Sequence, residues 1–343
     1  MRARVVPIQC IVPPHILRHL ARNAKGPARD WAEQSLMRSE RIRGARARTR
    51  GFVLAVPAGE KHRTVYDARG GTQPPFRLVR GEGQGPVDDQ AVNEAYDGAG
   101  ATYDFYRQVF NRNSIDDKGM RLDSIVHYDE RLDNAFWDGT EMLYGDGDGE
   151  YFGRFTKSLD VIGHELTHGV TEYTAALEYS GESGALNESM SDVFGSLVKQ
   201  YSLGQSAAQA DWLIGAGLFT SKVHGQALRS MKAPGTAYDD PVIGKDPQPA
   251  DMAHYQKTSS DNGGVHINSG IPNRAFYLAA VNLGGKAWTA AGRIWYATLL
   301  RLRSNATFQD AANTTVAVAG ELFKGGEQRA VRDAWAQVGI TVS

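Results

Sequence analysis

Two histidines four residues apart, His164 and His168, with Glu165 beside the first, lie in a stretch where Leu159, Val161, Ile162 and Leu166 recur at helical period. No other feature constrains the chain as much. On a helix of about 3.6 residues per turn, this spacing puts both imidazoles on one side, about 6 Å apart along the axis, within reach of one tetrahedral zinc ion. Glu165 then points to one side of the pair, where it can take a proton from water activated by the metal without being a ligand. With 9 histidines in 343 residues, the pattern should arise by chance in roughly one such chain in a hundred. A third protein ligand is available in Glu188, in a second helical stretch marked by Leu186, Met190, Val193, Phe194, Leu197 and Val198, with Asp192 one turn beyond on the same face. A hairpin of two helices would bring Glu188 to the metal. The alternative with a third histidine needs glycine at 171 and histidine at 174, where the chain has Thr171 and Thr174.

The rest of the chain can house such a hairpin. Its length allows two domains and a short extra segment, and a hydrophobic content of 41% suffices for their cores. From Gly51 to Phe155, short β-branched and aromatic runs such as Arg63 to Tyr66 and Ile125 to Tyr128 alternate with turn-forming clusters, predicting an antiparallel, strand-rich half with one helix over Val87 to Phe110. Beyond Lys157 the period becomes helical, with further helices expected over Asn273 to Asn282, Ala287 to Arg303, Phe308 to Phe323 and Glu327 to Val338. The expected class is α+β: a β-rich N-terminal half, a mainly α-helical C-terminal half, and the site in the cleft between them.

The first fifty residues differ from the rest. They carry twelve Lys or Arg against Asp30, Glu33 and Glu40, a net +9, which leaves −10 for the remainder of a chain of net charge −1. A basic arm before an acidic body is a solvated tail, a nucleic-acid contact, or a segment that docks on its own body. Apolar residues Trp31, Leu36, Met37 and Ile42 suggest a helix over Asp30 to Arg43, and Arg41 to Arg50 reads as a linker. Pro7, Pro13, Pro14 and His15 interrupt any apolar signal core, so no Sec signal is expected; the chain is expected to be cytoplasmic as synthesised, with a non-classical route for any export. Even around Trp288 to Leu300 the apolar run is broken by Arg293, so no membrane span is expected. The only cysteine is Cys10, so no disulfide framework exists and a metal site in the body must use His, Asp and Glu.

The segments Val161-Ile-Gly-His-Glu-Leu-Thr-His-Gly-Val-Thr, Ser183-Gly-Ala-Leu-Asn-Glu-Ser-Met-Ser-Asp-Val-Phe-Gly and Asn262-Gly-Gly-Val-His-Ile-Asn-Ser-Gly-Ile-Pro resemble the signatures of the thermolysin family. Asn134-Ala-Phe-Trp and Tyr144-Gly-Asp-Gly-Asp-Gly fit the same family, and the similarity runs from about residue 60 to the C-terminus. The resemblance implies a zinc-dependent neutral endopeptidase. In it His164, His168 and Glu188 ligate zinc, Glu165 is general base and proton shuttle, and Asp192 and Asn187 hold the ligating imidazoles. It also implies His266 and Tyr179 as oxyanion donors with Asp261 keeping His266 protonated, Arg229 as the group that binds a substrate carbonyl, and Asn134 and Ala135 as the edge that pairs with an extended peptide. Phe152, Phe155, Val161, Ile214 and Leu228 fall where the family lines the pocket for the side chain after the scissile bond. Cleavage is therefore expected before bulky apolar residues, whose burial contributes about 1.5 to 3 kcal/mol.

Cys10-Ile-Val-Pro-Pro-His-Ile-Leu is similar to the short pro-segment of protealysin-type family members. This implies an inhibitory propeptide over 1–50, a β-rich catalytic part over 51–178 that ends in the zinc helix, and a helical part over 179–343. The prolines suggest an extended strand lying in the cleft, and Cys10 is expected to act as an inhibitory zinc ligand in place of the catalytic water; the other reading is a small buried apolar cysteine. Self-cleavage is expected between Arg43 and Val56, with the bond before Phe52 suiting the pocket. Two positions of the family's paired calcium site are kept as Asp160 and Asp211, but the others read Lys199, Leu213 and Ala216, so no double calcium is expected. Asp146-Gly-Asp-Gly reads as a tight turn, since Lys157 stands where a calcium loop needs glutamate. Expected partners are peptide and protein substrates and the chain's own propeptide, with no nucleic acid, no membrane and a monomeric state. Rival readings are a nucleic-acid binder using the basic arm, a closed structural zinc scaffold, and a different metal hydrolase.

Overall fold

The computed structural model describes residues 9–45 and 60–342. The chain opens with a two-residue strand, β1 (Gln9–Cys10), and two helices, α1 (Pro14–Asn23) and α2 (Pro27–Ala45). Pro14 is the first residue of α1, where its missing N–H breaks no helical bond. The prolines therefore start a helix, and the extended piece is shorter than expected. Helix α2 also continues through Arg41 to Ala45, the first half of the expected linker, because nothing before Gly44 breaks the helix. The expected processing span, from Arg43 to Val56, falls almost wholly outside the described residues, and Phe52 with it.

The N-terminal body is built on strands β2 (Arg63–Asp67), β3 (Arg77–Gly81), β4 (Leu122–Val126), β5 (Ala135–Trp137) and β6 (Glu141–Tyr144), with helix α3 (Gln90–Phe110) across one face. The sheet order is β1-β5-β6-β4-β2-β3. It is mixed: β2–β4 and β4–β6 are parallel pairs, which corrects the expected antiparallel half. Helix α3 supplies the long return from β3 to β4 that such pairing needs. Side chains alternate across the sheet. Val65, Ala135 and Trp137 join the main core, while Tyr66, Ile125 and Phe136 face a smaller apolar cluster.

Helix α4 (Leu159–Glu172) follows the sheet and pairs with α5 (Gly181–Ser202), the first helix of the C-terminal body, as the predicted hairpin. Their backbones approach closely at two glycines. A Cβ on Gly195 would lie 2.4 Å from the carbonyl oxygen of Asp160, and one on Gly163 would lie 3.1 Å from Gly195 Cα. Any larger residue would push the metal-bearing faces apart. Short strands β7 (Leu213–Ile214) and β8 (Arg229–Ser230) pair beside them, followed by the β9 (Asp239–Asp240) and β10 (Gly244–Lys245) ribbon. Helices α6 (Asp261–Asn268), α7 (Gly270–Leu283), α8 (Ala291–Leu299), α9 (Phe308–Leu322) and α10 (Glu327–Gln337) complete it. A capping box of Thr307 and Asp310 starts α9. No helix among the described residues is long and apolar enough to cross a membrane.

Candidate metal centre and substrate cleft

Helix α4 presents His164 and His168, and α5 presents Glu188, all buried. One ligand atom from each lies within 4.8 Å of the others. Each imidazole gives its Nδ1 proton to an acceptor at 2.8 Å, His164 to Asp192 Oδ1 and His168 to Asn187 Oδ1. The two Nε2 atoms are then bare lone pairs 3.0 Å apart, and each lies 3.6 Å from a Glu188 oxygen. Facing lone pairs repel unless a cation stands between them. A tetrahedral zinc with bonds of about 2.0–2.1 Å sets its ligands about 3.3 Å apart, which matches these separations. Glu188 Oε2, buried and with no hydrogen-bond partner among the described residues, is a further sign that the donor set fits such an ion.

Glu165 faces β5. Its Oε2 accepts the Trp137 amide at 3.0 Å, and Oε1 has no partner among the described residues. Burial, with the Cys10 thiol and Glu188 nearby, raises its carboxyl well above the usual range. Across the cleft, His266 donates Nδ1–H to Asp261 at 2.7 Å and Nε2–H to the carbonyl oxygen of Cys10 at 3.0 Å. Burial opposes charge on both members of the Asp261–His266 pair, yet their mutual attraction prevails, raising His266 and lowering Asp261. The backbone at Asp261, Asn262, Gly263 and Gly264 is left-handed, a tight turn that brings Asp261 back against His266. Tyr179 donates its hydroxyl to Glu188, and its oxygen lies 3.2 Å from His266 Nε2.

Arg229, on β8, grips Asp192 with Nε and Nη2, both at 2.8 Å, and Asp192 also accepts from His164. Burial disfavours both charges, but their coulombic attraction raises Arg229 and lowers Asp192. The remaining nitrogen, Nη1, reaches the carbonyl oxygen of Ile11 at 2.9 Å. Asn134 Oδ1 accepts the Val12 amide at 3.0 Å, and the Ala135 carbonyl accepts the Ile11 amide at 3.4 Å. The segment from Cys10 to Val12 is thus held as an added antiparallel edge strand, with Cys10 opposite Phe136. Phe152, Phe155, Val161, Ile214 and Leu228 are buried in the same apolar cluster as Ile11.

The thiol expected to ligate metal is not in the triad. Cys10 Sγ turns to the Val12 carbonyl at 3.6 Å, and the residue packs with Phe136, Ile125 and Leu143. Pairing with β5 aims the Cys10 carbonyl at His266, while the thiol, packed with the smaller cluster, still lies near enough to Glu165 to bear on its carboxyl. Three contributors had no sequence signal or only a faint one. Ser191, one turn after Asn187 on α5, approaches His168 Nδ1 at 2.9 Å, and that helical spacing could have revealed it. Asn273 on α7 donates to Asp192 at 2.8 Å from far along the chain. His15 of α1 pairs with the Tyr238 hydroxyl at 2.8 Å, and burial, which outweighs the nearby Asp261, lowers it to about 3. A separate charged cluster stands near the start of α4. There Lys199 Nζ donates to Asp160 at 2.7 Å, to Asp211 at 3.1 Å and to the Leu213 carbonyl at 3.0 Å.

Comparison with known proteins agrees with this architecture. The family model "Thermolysin metallopeptidase, catalytic domain" matches residues 63–172, and "Thermolysin metallopeptidase, alpha-helical domain" matches residues 175–340. An extracellular metalloprotease of Pectobacterium carotovorum subsp. carotovorum is 50% identical over 338 residues, covering 98% of this chain and 97% of its own. Protease PrtS of Photorhabdus sp. (strain Az29) is 47% identical over 342 residues, covering 97% of this chain and 92% of its own. Among solved structures, the precursor of protealysin, a metalloproteinase from Serratia proteamaculans, matches with a TM-score of 0.90 and 52% identity, covering 97% of this chain and 100% of that one. The expected cytoplasmic placement is corrected by these relatives: one that aligns over almost its full length carries the name extracellular metalloprotease, so the interrupted apolar core near Pro13 and Pro14 is no guide to location. Matched in both halves by one family and along nearly its whole length by its members, the chain belongs to the thermolysin family of metallopeptidases.

Proposed function

We propose that this metalloprotease precursor gives rise to a secreted zinc endopeptidase that cuts on the N-terminal side of bulky apolar residues. In this reading residues 1–50 form a propeptide that the enzyme itself removes, leaving a catalytic part over 51–178 and a helical part over 179–343. The carrying observation is that the Cys10 to Val12 backbone engages His266, Ala135, Arg229 and Asn134 together, as an extended substrate would. In this reading the Cys10–Ile11 bond takes the place of a scissile bond, and Ile11, buried in the same apolar cluster as the pocket residues, takes that of the side chain after it.

When bound, zinc supplies Lewis acidity that polarises a peptide carbonyl and lowers the pKa of water toward about 7. The chain's own groups do the rest. Glu165, oriented by the Trp137 amide, takes the proton of the attacking water and passes it to the departing nitrogen. His266 and Tyr179 donate to the oxygen that gains charge. Arg229, Asn134 and Ala135 hold the peptide on either side, and the pocket supplies affinity in proportion to the apolar area buried.

The test is casein hydrolysis by the purified chain, with bound zinc measured, against Glu165→Ala. Hydrolysis should fall by about 10²- to 10⁴-fold in the variant while zinc is retained. Equal hydrolysis by both chains would refute the assignment.

A further inference from the structure

The Asp192 carboxylate does two jobs on the proposed reaction path: Oδ1 holds His164, and both oxygens hold Arg229. Its fourth donor is Asn273, whose Nδ2 reaches Oδ2 at 2.8 Å from the first turn of α7. Asn273 is fully buried, and its own Oδ1 has no partner among the described residues. A buried amide that leaves one end unsatisfied is kept for what its other end does. Its donated bond fixes the rotation of the carboxylate about Cβ–Cγ, and that rotation sets the plane of the Arg229 guanidinium. The plane in turn decides where Nη1 points, and Nη1 is the atom that meets the Ile11 carbonyl.

We propose that Asn273 is a positioning residue, holding Asp192 so that Arg229 is aimed at the backbone carbonyl following the scissile bond. This rests on the reading that Ile11 stands where the residue after the scissile bond stands. His164 is less exposed to the loss of Asn273, because it hangs from the opposite oxygen and is pinned again at its ligating end. The effect of losing Asn273 therefore falls on substrate grip more than on metal binding or the chemical step.

The experiment compares wild type with Asn273→Leu, which keeps the branched outline and removes the donor, and Asn273→Ser, which keeps a shorter donor. Four quantities are read: KM and kcat on a blocked peptide that extends past the carbonyl Arg229 grips, zinc per chain, and hydrogen exchange of residues 9–12 in the metal-free full-length chain. For Asn273→Leu, KM should rise about tenfold, the lower end for a lost hydrogen bond to a buried charge, with kcat within about twofold and zinc retained. Exchange across residues 9–12 should quicken in the same variant, and Asn273→Ser should fall between it and wild type in both readouts. An unchanged KM with unchanged exchange overturns the proposal, as does a loss that follows zinc content. If the leucine variant does not fold, a wild-type KM in Asn273→Ser also overturns it. A wild-type chain that hydrolyses no peptide sinks the functional reading instead, and the exchange data then still judge whether Asn273 aims Arg229.

Discussion

Along one helix pair, two clusters of charge meet the same requirement differently. Near the start of α4, Asp160 and Asp211 and the Leu213 carbonyl surround the ammonium of Lys199. One turn further along α4, His164 and His168 turn their lone pairs toward each other and toward Glu188. The first cluster carries its cation on the chain; the second is balanced only by one from outside. A residue that brings its own charge makes a permanent structural joint, whereas a set of converging lone pairs makes a site that can be loaded and can do chemistry.

The sharpest way to break this contrast is to alter the second cluster. Glu188→Gln removes the anionic ligand, and bound zinc should be lost with at least about a thousandfold drop in casein hydrolysis. Full activity and full zinc in that variant would mean that the triad is not the metal site. Next in size is Lys199→Met, which leaves Asp160 buried without its cation. Breaking a buried pair costs about 3–5 kcal/mol, or a fall in Tm of roughly 10 °C. Wild type should show no comparable fall when calcium alone is chelated and zinc is kept. If it does, the lysine does not stand in for the family's calcium.

The smallest effect sharpens the contrast with a cation that can be switched off. His127 lies between Asp146 at 2.8 Å and Asp89 at 2.9 Å. Its hydrogen bond to Asp146, opposed by burial and helped by Asp89, raises it to about 9. Because the folded value lies above the free one of about 6.5, its stabilisation is fully present below pH 6.5 and is lost as pH rises through about 9. The cluster is partly exposed, so the contribution is at most about 1 kcal/mol. The Tm difference between wild type and His127→Gln should therefore shrink between pH 7 and 10, while Lys199→Met should keep its deficit over that range.

What could be read in the sequence followed the reach of each signal. His164, Glu165, His168, Glu188 and Asp192 could be placed together because helical spacing fixes which side chains share a face, whereas Asn187 came only from the family resemblance. Lys199 was legible as a misplaced charge among kept carboxylates. The helices beyond Lys157 were found within a few residues by the same periodicity, except α6 (Asp261–Asn268), whose glycines and left-handed turn mask its helical period. Strand pairing is not local, so the parallel pairs of the sheet escaped, and the choice between the two readings of Cys10, which depends on its register with Phe136, stayed open. Asn273 and His15 meet their partners across long stretches of chain, and a lone Asn or His carries no spacing to betray it.

The segment at Cys10 to Val12 engages the cleft through the contacts a substrate would need, so guest and guard are rivals for one berth. While joined to the body, the guard is present at an effective concentration of about millimolar or more. Under the proposed processing, severing the join would alter no contact of Cys10 to Val12 in the cleft and would return the segment to the common pool, where other peptides compete with it. Activation of this kind would proceed by dilution, and it should come sooner in a large volume than in a crowded one.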